Sequence, residues 1–309
     1  MKRILDCRAS DFRQIGRKEL KGAILAAEGR TVMAETVVVS QPLLPEITNA
    51  ELAKAFGADM ILLNVFDVFQ PEVRGIVPFD IFNPDSGAGT VGNPIAEIKR
   101  LTGLPVGINL EPVDASADAV ESLNVLPEGR RATARSLAKA KELGCDFVCL
   151  TGNPKTGVTN AQILQAIGTS QEHFGGLIIA GKMHGAGTRG SVIDREAAVS
   201  FAEAGADIVL FPAPGTVPGL REEELAGIIS EVKEKGALAL AAIGTSQEGA
   251  DEGTVRAIAL SAKRAGADLL HIGDAGYSGM ANPENIMALS VAIRGRRHTY
   301  IRMAASPLR

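Results

Sequence analysis

The chain has no tryptophan, two tyrosines and three cysteines among its 309 residues. So sparse an aromatic set offers little stacking surface for nucleic acid, and three cysteines exclude a disulfide scaffold. Cys145 and Cys149 lie in GCDFVCL, a strand-like run whose residues four apart share a face, and read as small core hydrophobes. No charge sign dominates. Lys and Arg number 32 against 36 Asp and Glu, a formal net charge of -4, which gives no broad attraction to phosphate polymers or anionic membranes. No apolar run reaches the ~18 residues of a membrane span, and the first residues are charged where a signal peptide is apolar. The expectation is a soluble, cytoplasmic protein that contacts neither nucleic acid nor membrane.

What the sequence does contain is a repeat. AFGADMILLN, ELGCDFVCLTG, EAGADIVLFP and RAGADLLHIG each run from a helix end through Gly-Ala/Cys-Asp into a short apolar strand. The glycine fits a left-handed helix cap, and the apolar run suits a parallel strand buried on both faces. Four more apolar strands alternate with these, beginning at Thr31, Leu104, Gly176 and Ala237. Helical patterns fill the gaps: Thr48 with Glu51 and Thr159 with Gln162 read as capping boxes, Asp194 opens another helix, and the segment from Thr254 carries an apolar stripe. Eight strands alternating with helices predict a (βα)8 TIM barrel, an α/β fold, as one domain over 1–309. An extra helix within residues 10–29 precedes the first strand, and a long insertion follows the second. That insertion holds Val73, Ile76, Val77, Phe79, Ile81 and Phe82 and reads as a hairpin or lid. Its GAGTVG follows no strand, so a dinucleotide fingerprint is not expected.

Barrel active sites form where strands end and βα-loops begin. The strand ends present Glu35, Asn64 with Asp67, Asn109 with Glu111, Thr151 with Asn153, Lys182 with His184, and His271 with Asp274. Lys182, Glu111 and His184 are the candidate catalytic residues: a lysine is rarely buried unpaired, and a carboxylate across the mouth would pair with it or act as a base beside it. The alternative is a structural ion pair. His271 reads equally as a core histidine or a functional one. The seventh and eighth strands end in the turns IGTSQEG and IGDAGYSG, where Gly244, Thr245, Gly273, Ala275 and Gly276 offer backbone donors to phosphate or another small anion, against the charge of Asp274. Arg189, in the glycine-rich loop after the fifth strand, is a further anion candidate. The final residues carry Arg294, Arg296, Arg297, Arg302 and Arg309, read as complementing the last helix dipole and touching another subunit of a homo-oligomer rather than an acidic partner.

The GAD-strand repeat and the glycine turns over the last two strands resemble the phosphate-binding (βα)8 superfamilies over about residues 31–295. Among them the chain is similar to bacterial phosphoenolpyruvate phosphomutase-like proteins. The resemblance implies a small anionic metabolite as ligand. The acidic magnesium site and the Cys or Ser gate loop of phosphomutases and isocitrate lyases are not legible here; Asp67, Asp80 and Asp85 do not reproduce the spacing.

Three readings follow. One is a lyase or isomerase acting on a small phosphorylated or carboxylated metabolite, with Lys182 as electrophile or Schiff base. Another is an enolate-type enzyme using a divalent cation such as magnesium on Glu35, Asp67 and Glu111. The third is a sensor barrel that binds a metabolite without chemistry.

Overall fold

Each GAD segment closes one helix and opens one strand. The repeat glycines Gly57, Gly144, Gly205 and Gly266 have φ of 109°, 85°, 99° and 97°, the left-handed region that ends a helix at little cost to glycine alone. The architecture comes from a computed structural model, which describes residues 2–78, 82, 91–114, 116–120, 122–189 and 191–309.

The expected eight strands are all present: β1 (Thr31–Val37), β2 (Met60–Asn64), β3 (Val106–Asn109), β4 (Phe147–Leu150), β5 (Leu177–Gly181), β6 (Ile208–Pro212), β7 (Leu238–Ile243) and β8 (Leu269–Ile272). Each pairs in parallel with the next, and β8 returns to β1, so the sheet is a closed (βα)8 TIM barrel. The segment before β1 forms two helices, α1 (Ala9–Phe12) and α2 (Arg17–Leu25), where one was expected. The outer ring is α3 (Asn49–Ala55), α4 (Pro94–Thr102), α5 (Ala134–Leu143), α6 (Asn160–His173), α7 (Arg195–Glu203), α8 (Glu222–Glu234), α9 (Glu252–Arg264) and α10 (Pro283–Ala304). Of the two expected capping boxes one is complete, and at Thr159 only the Thr side chain caps, accepting from the Gln162 N–H without the return bond. Thr48 and Glu51 form a reciprocal capping box on α3, and Thr159 and Asp194 cap α6 and α7. The stripe of α9 buries Val255, Ile258, Ala259 and Ala262 against the sheet.

Strands buried on both faces need apolar residues at every position. Ile61, Leu62 and Leu63 of β2 are wholly buried, and each such side chain contributes roughly 1.5–3 kcal/mol. Inside the barrel, large residues fit over small ones: a Cβ on Gly107 would lie 2.3 Å from the Phe147 ring on the neighbouring strand.

The repeat aspartates close the floor. Asp59, Asp146, Asp207 and Asp268 each accept a backbone N–H from the preceding strand, from Val32, Val106, Ile178 and Ala239 at 2.8–2.9 Å. Each also meets a cation. Asp146 pairs with Lys99 at 2.8 Å, Asp207 with Arg17 at 2.8 Å, and Asp268 with Lys233 at 3.0 Å. Asp59 is wholly buried between Arg294, at 2.5 Å, and Arg302, at 2.7 Å.

Those two arginines correct the reading of the C-terminal cluster. They do not face a partner but turn inward onto Asp59, because α10 kinks at Gly295 (φ 73°, ψ 167°) and brings both helix halves to one point. Arg302 also donates to the Ile4 carbonyl at 2.7 Å, tying the N-terminal segment to the floor. In the insertion after β2, Val73 and Ile76 pack on the core. Its central part, with Phe79, Asp80, Ile81, Asp85 and most of GAGTVG, falls outside the described residues, and so does the expected hairpin or lid. Among the described residues no helix is long and apolar enough to cross a membrane.

Candidate active site at the barrel mouth

Strand alternation decides which side chains reach the barrel axis. Glu35 on β1, Asn64 on β2, Asn109 on β3 and Thr151 after β4 line a cavity of about 160 Å³ at the C-terminal mouth. Loops complete it with Asn153, Met183, His184, Gly244, Thr245, Glu248, Gly273 and Asp274. His271 lies beneath, wholly buried, with Nε2 3.0 Å from Glu35 Oε2.

The amides form a lattice. Asn64 donates to Asn153 Oδ1 and to Asp274 Oδ2, both at 2.8 Å, while its own oxygen accepts from Asn109 and Asn153. Val65, which follows Asn64, holds φ of 62°, and its N–H donates to Asn64 Oδ1 at 2.8 Å. A β-branched residue in that region is strained, and so are Thr245 (φ 55°) and Ser246 (φ 77°) across the mouth.

No Lys or Arg is among the described residues lining the cavity, so its acids lack cationic partners. Burial pushes the Glu35 carboxyl up to about 8, with Glu248 and Glu111 adding repulsion. Asp274 rises to about 7, chiefly by burial and then by Glu35, against the Asn64 hydrogen bond. Glu248 is raised by burial as well. His271 falls to about 4 because burial opposes its charged form. At neutral pH the site therefore holds a protonated Glu35, a neutral His271 and an Asp274 poised between its two forms.

The candidate residues separate. Glu111 does not meet Lys182. Its Oε1 accepts from Arg130 and from the Asn153 side chain, both at 2.8 Å, and its Oε2 accepts from the Asn153 N–H at 2.8 Å. It braces the loop that carries Asn153. Lys182 faces outward toward Asp194 and α7, in a crevice of about 20 Å³, because β5 ends at Gly181 and the alternation stops before His184. Burial lowers its ammonium below the usual lysine range. His184 does line the mouth, with Nδ1 accepting from Ala186 N–H at 3.0 Å, and burial lowers its imidazole too.

Of the expected anion donors, Gly244, Thr245, Gly273 and Ala275 line the cavity. Two of their N–H groups are engaged: Ala275 donates to Glu248 Oε1 at 3.1 Å, and Gly273 to the Ile243 carbonyl at 2.9 Å. Gly276 packs against Met280 and Ala281 instead. Arg189 is exposed and pairs with Asp118 at 3.3 Å, away from the cavity. Glu248 is the residue that sequence reasoning missed. Asn285 fixes its loop by donating to the Glu248 and Ala250 carbonyls at 2.9 and 2.7 Å.

The suggested metal ligands do not fit a metal. Glu35 lines the cavity, but both Glu111 oxygens are engaged, and Asp67 accepts from Phe69 and Gln70 N–H in a turn outside the cavity. Among the described residues no group of three or more His, Cys, Asp or Glu is placed to hold a metal ion.

Solved structures share this barrel. The carboxyl transferase domain of Rhizobium etli pyruvate carboxylase, with pyruvate and biocytin, is 13% identical and aligns over 96% of this chain and 51% of that one at a TM-score of 0.52. The same domain with 3-bromopyruvate gives 13% identity, 96% and 52% coverage, and 0.51. The chain thus spans about half the length of those carboxylase chains. A 2,3-dimethylmalate lyase, of the PEP mutase/isocitrate lyase superfamily, is 13% identical over 97% of this chain and 90% of that one, with a TM-score of 0.49. At such identity the likeness to the carboxylase domain speaks to fold alone. No curated protein matches the sequence. Residues 5–309 match the model of the family described as Domain of unknown function (DUF7916), and the chain belongs to that family.

Proposed function

We propose that this barrel is an enzyme of lyase or isomerase type, moving protons on a small metabolite held in the mouth cavity. One observation carries the reading: Glu35, Glu248 and Asp274 meet at the mouth beside His271, with no Lys or Arg among the described residues that line the space. Structural carboxylates buried elsewhere in this chain are paired, as Asp59 is. Unpaired ones with ionisation near neutrality suit general acid and base work.

In this reading Glu35 is the acid, protonated at neutral pH and 3.0 Å from His271 Nε2. Asp274, held at 2.8 Å by Asn64, is the base. His184, whose Nδ1 accepts from Ala186 N–H, keeps its Nε2–H to orient or protonate the substrate. Glu111 acts through Asn153 as a positioning residue. Lys182 lies outside the cavity, which weighs against a Schiff base, and no step is routed through a metal. A phosphorylated substrate draws less support than the glycine turns suggest, because Glu248 occupies one of the donors that a phosphate would use.

The test is solvent deuterium incorporation, followed by NMR, over a panel of 2-oxo acids, hydroxy acids and their amino counterparts. A substrate should exchange or be cleaved, with a loss of about 100-fold or more in Glu35→Gln and in Asp274→Asn. Turnover that survives in both variants sinks the assignment. Tight binding of a panel member without any exchange would favour the sensor reading.

A further inference from the structure

The residues around the mouth cavity carry buried oxygens that nothing among the described residues satisfies. Asn109 and Thr151, 4% and 2% exposed, line it, and Asn109 Oδ1 and Thr151 Oγ1 have no hydrogen-bond partner among the described residues. Glu248, 2% exposed, spends Oε1 on the Ala275 N–H, while Oε2 has no partner among the described residues. Asn109 cannot simply turn its amide over, because its Nδ2 is held at 3.2 Å by Asn64 Oδ1. A buried oxygen without a donor is costly, and folded chains keep such atoms where something else supplies the donor.

The three residues that carry these buried oxygens line one cavity of about 160 Å³, from three separate places in the barrel: β3, the end of β4 and the loop after β7. An anion there would bring more negative charge toward Glu248 and Asp274, with no Lys or Arg among the described lining residues to offset it. A cationic group with several N–H donors has the opposite balance. A primary ammonium carries three donors and no acceptor.

We propose that the cavity binds the ammonium group of a small primary amine, with Asn109 Oδ1, Thr151 Oγ1 and Glu248 Oε2 as its acceptors. The inference rests on the proposed function in placing the substrate in this cavity, and it names the substrate class. The ammonium is the recognised end of the molecule, while Glu35 and Asp274 work on its remainder.

Calorimetric titration of the full chain with methylammonium, tetramethylammonium and inorganic phosphate, at equal ionic strength, tests this without any turnover. Methylammonium should bind at least about tenfold tighter than tetramethylammonium, which has the charge but no N–H, and phosphate should bind weakest. Glu248→Gln, which turns one acceptor into a donor, should weaken methylammonium by about tenfold or more. Equal affinity for the two ammonium ions, tighter binding of phosphate, or an unchanged methylammonium affinity in Glu248→Gln would each overturn the proposal. If that variant does not fold, the wild-type comparison decides alone. The two readings fail differently: methylammonium selectivity without Glu35-dependent exchange removes the enzyme and keeps the amine site, whereas Glu35-dependent exchange without that selectivity does the reverse.

Discussion

The two ends of this barrel treat buried acid in opposite ways. At the floor, four aspartates from one repeated motif each hold a strand N–H and a cation, so every negative charge is answered. At the mouth, Glu35, Glu248 and Asp274 sit among amides and histidines, and their ionisation is pushed toward neutrality. Paired carboxylates hold a fold together, whereas unpaired ones destabilise it unless they are kept protonated. The difference sets an end whose acids are locked into the fold against an end whose acids are left free to titrate, as the proposed proton transfer requires.

The sharpest way to break the comparison is at Asp59. Asp59→Ala leaves Arg294 and Arg302 buried without a counter-charge, and a loss of about 3–5 kcal/mol in urea-denaturation stability is expected. Glu35→Gln at neutral pH should cost nothing and should raise stability by on the order of a few kcal/mol, because the folded carboxyl stays protonated there while the unfolded one ionises freely. Equal losses in the two variants would erase the distinction between the ends.

pH offers the next test. Glu35 at about 8 and Asp274 at about 7 stand above their ordinary values of 4.5 and 3.8, so the folded chain binds protons that the unfolded chain has released. Their contribution is therefore full below about pH 4, falls as pH rises, and is spent above about pH 8. His271, lowered from 6.5 to about 4, acts in the opposite sense between those values and only blunts the acid side. Stability should drop by on the order of a few kcal/mol across this range, and Glu35→Gln should flatten the limb above pH 4.5. A limb unchanged in that variant would assign the pH dependence to groups elsewhere.

A smaller effect sharpens the floor. Asp146→Asn and Asp268→Asn keep a strand acceptor but lose the charge facing a partly exposed lysine, so each should cost about 1–2 kcal/mol in denaturant midpoint experiments. The smallest concerns Lys182. Facing α7 rather than the cavity, Lys182→Met should leave any turnover within about threefold of wild type, and a loss of about 100-fold would return it to the chemistry.

The barrel was legible because a glycine that ends a helix, an aspartate and a run of buried residues recur together, and each of these leaves a local trace. The ring of Glu35, Asn64, Asn109, Thr151, Asn153, His184 and Asp274 was legible from strand ends for the same reason. Lys182 was misplaced because the reading depended on where β5 stops, and a shift of one residue sends a side chain to the opposite face. Glu248 left no trace, since an acid in a turn looks like any solvated charge. The inward turn of Arg294 and Arg302 depends on a kink at Gly295 and on Asp59, 235 and 243 residues away. Pairings at that distance have no local signature.

The aspartate clamps also bear on how the chain assembles. Each joins residues only 27 to 40 apart, linking β1 to β2, β3 to β4, β5 to β6 and β7 to β8. The barrel is thereby divided into four quarter-units whose closing contacts are short-range, and short-range closure costs little loop entropy and forms fast. Pairing between neighbouring quarters is as short-range but carries no such aspartate clamp among the described residues, and only the pairing of β8 with β1 joins distant parts of the chain. Hydrogen exchange should find the clamped N–H of Val32, Val106, Ile178 and Ala239 protected in step with their own quarter, and new termini cut between quarters should be borne better than termini cut within one.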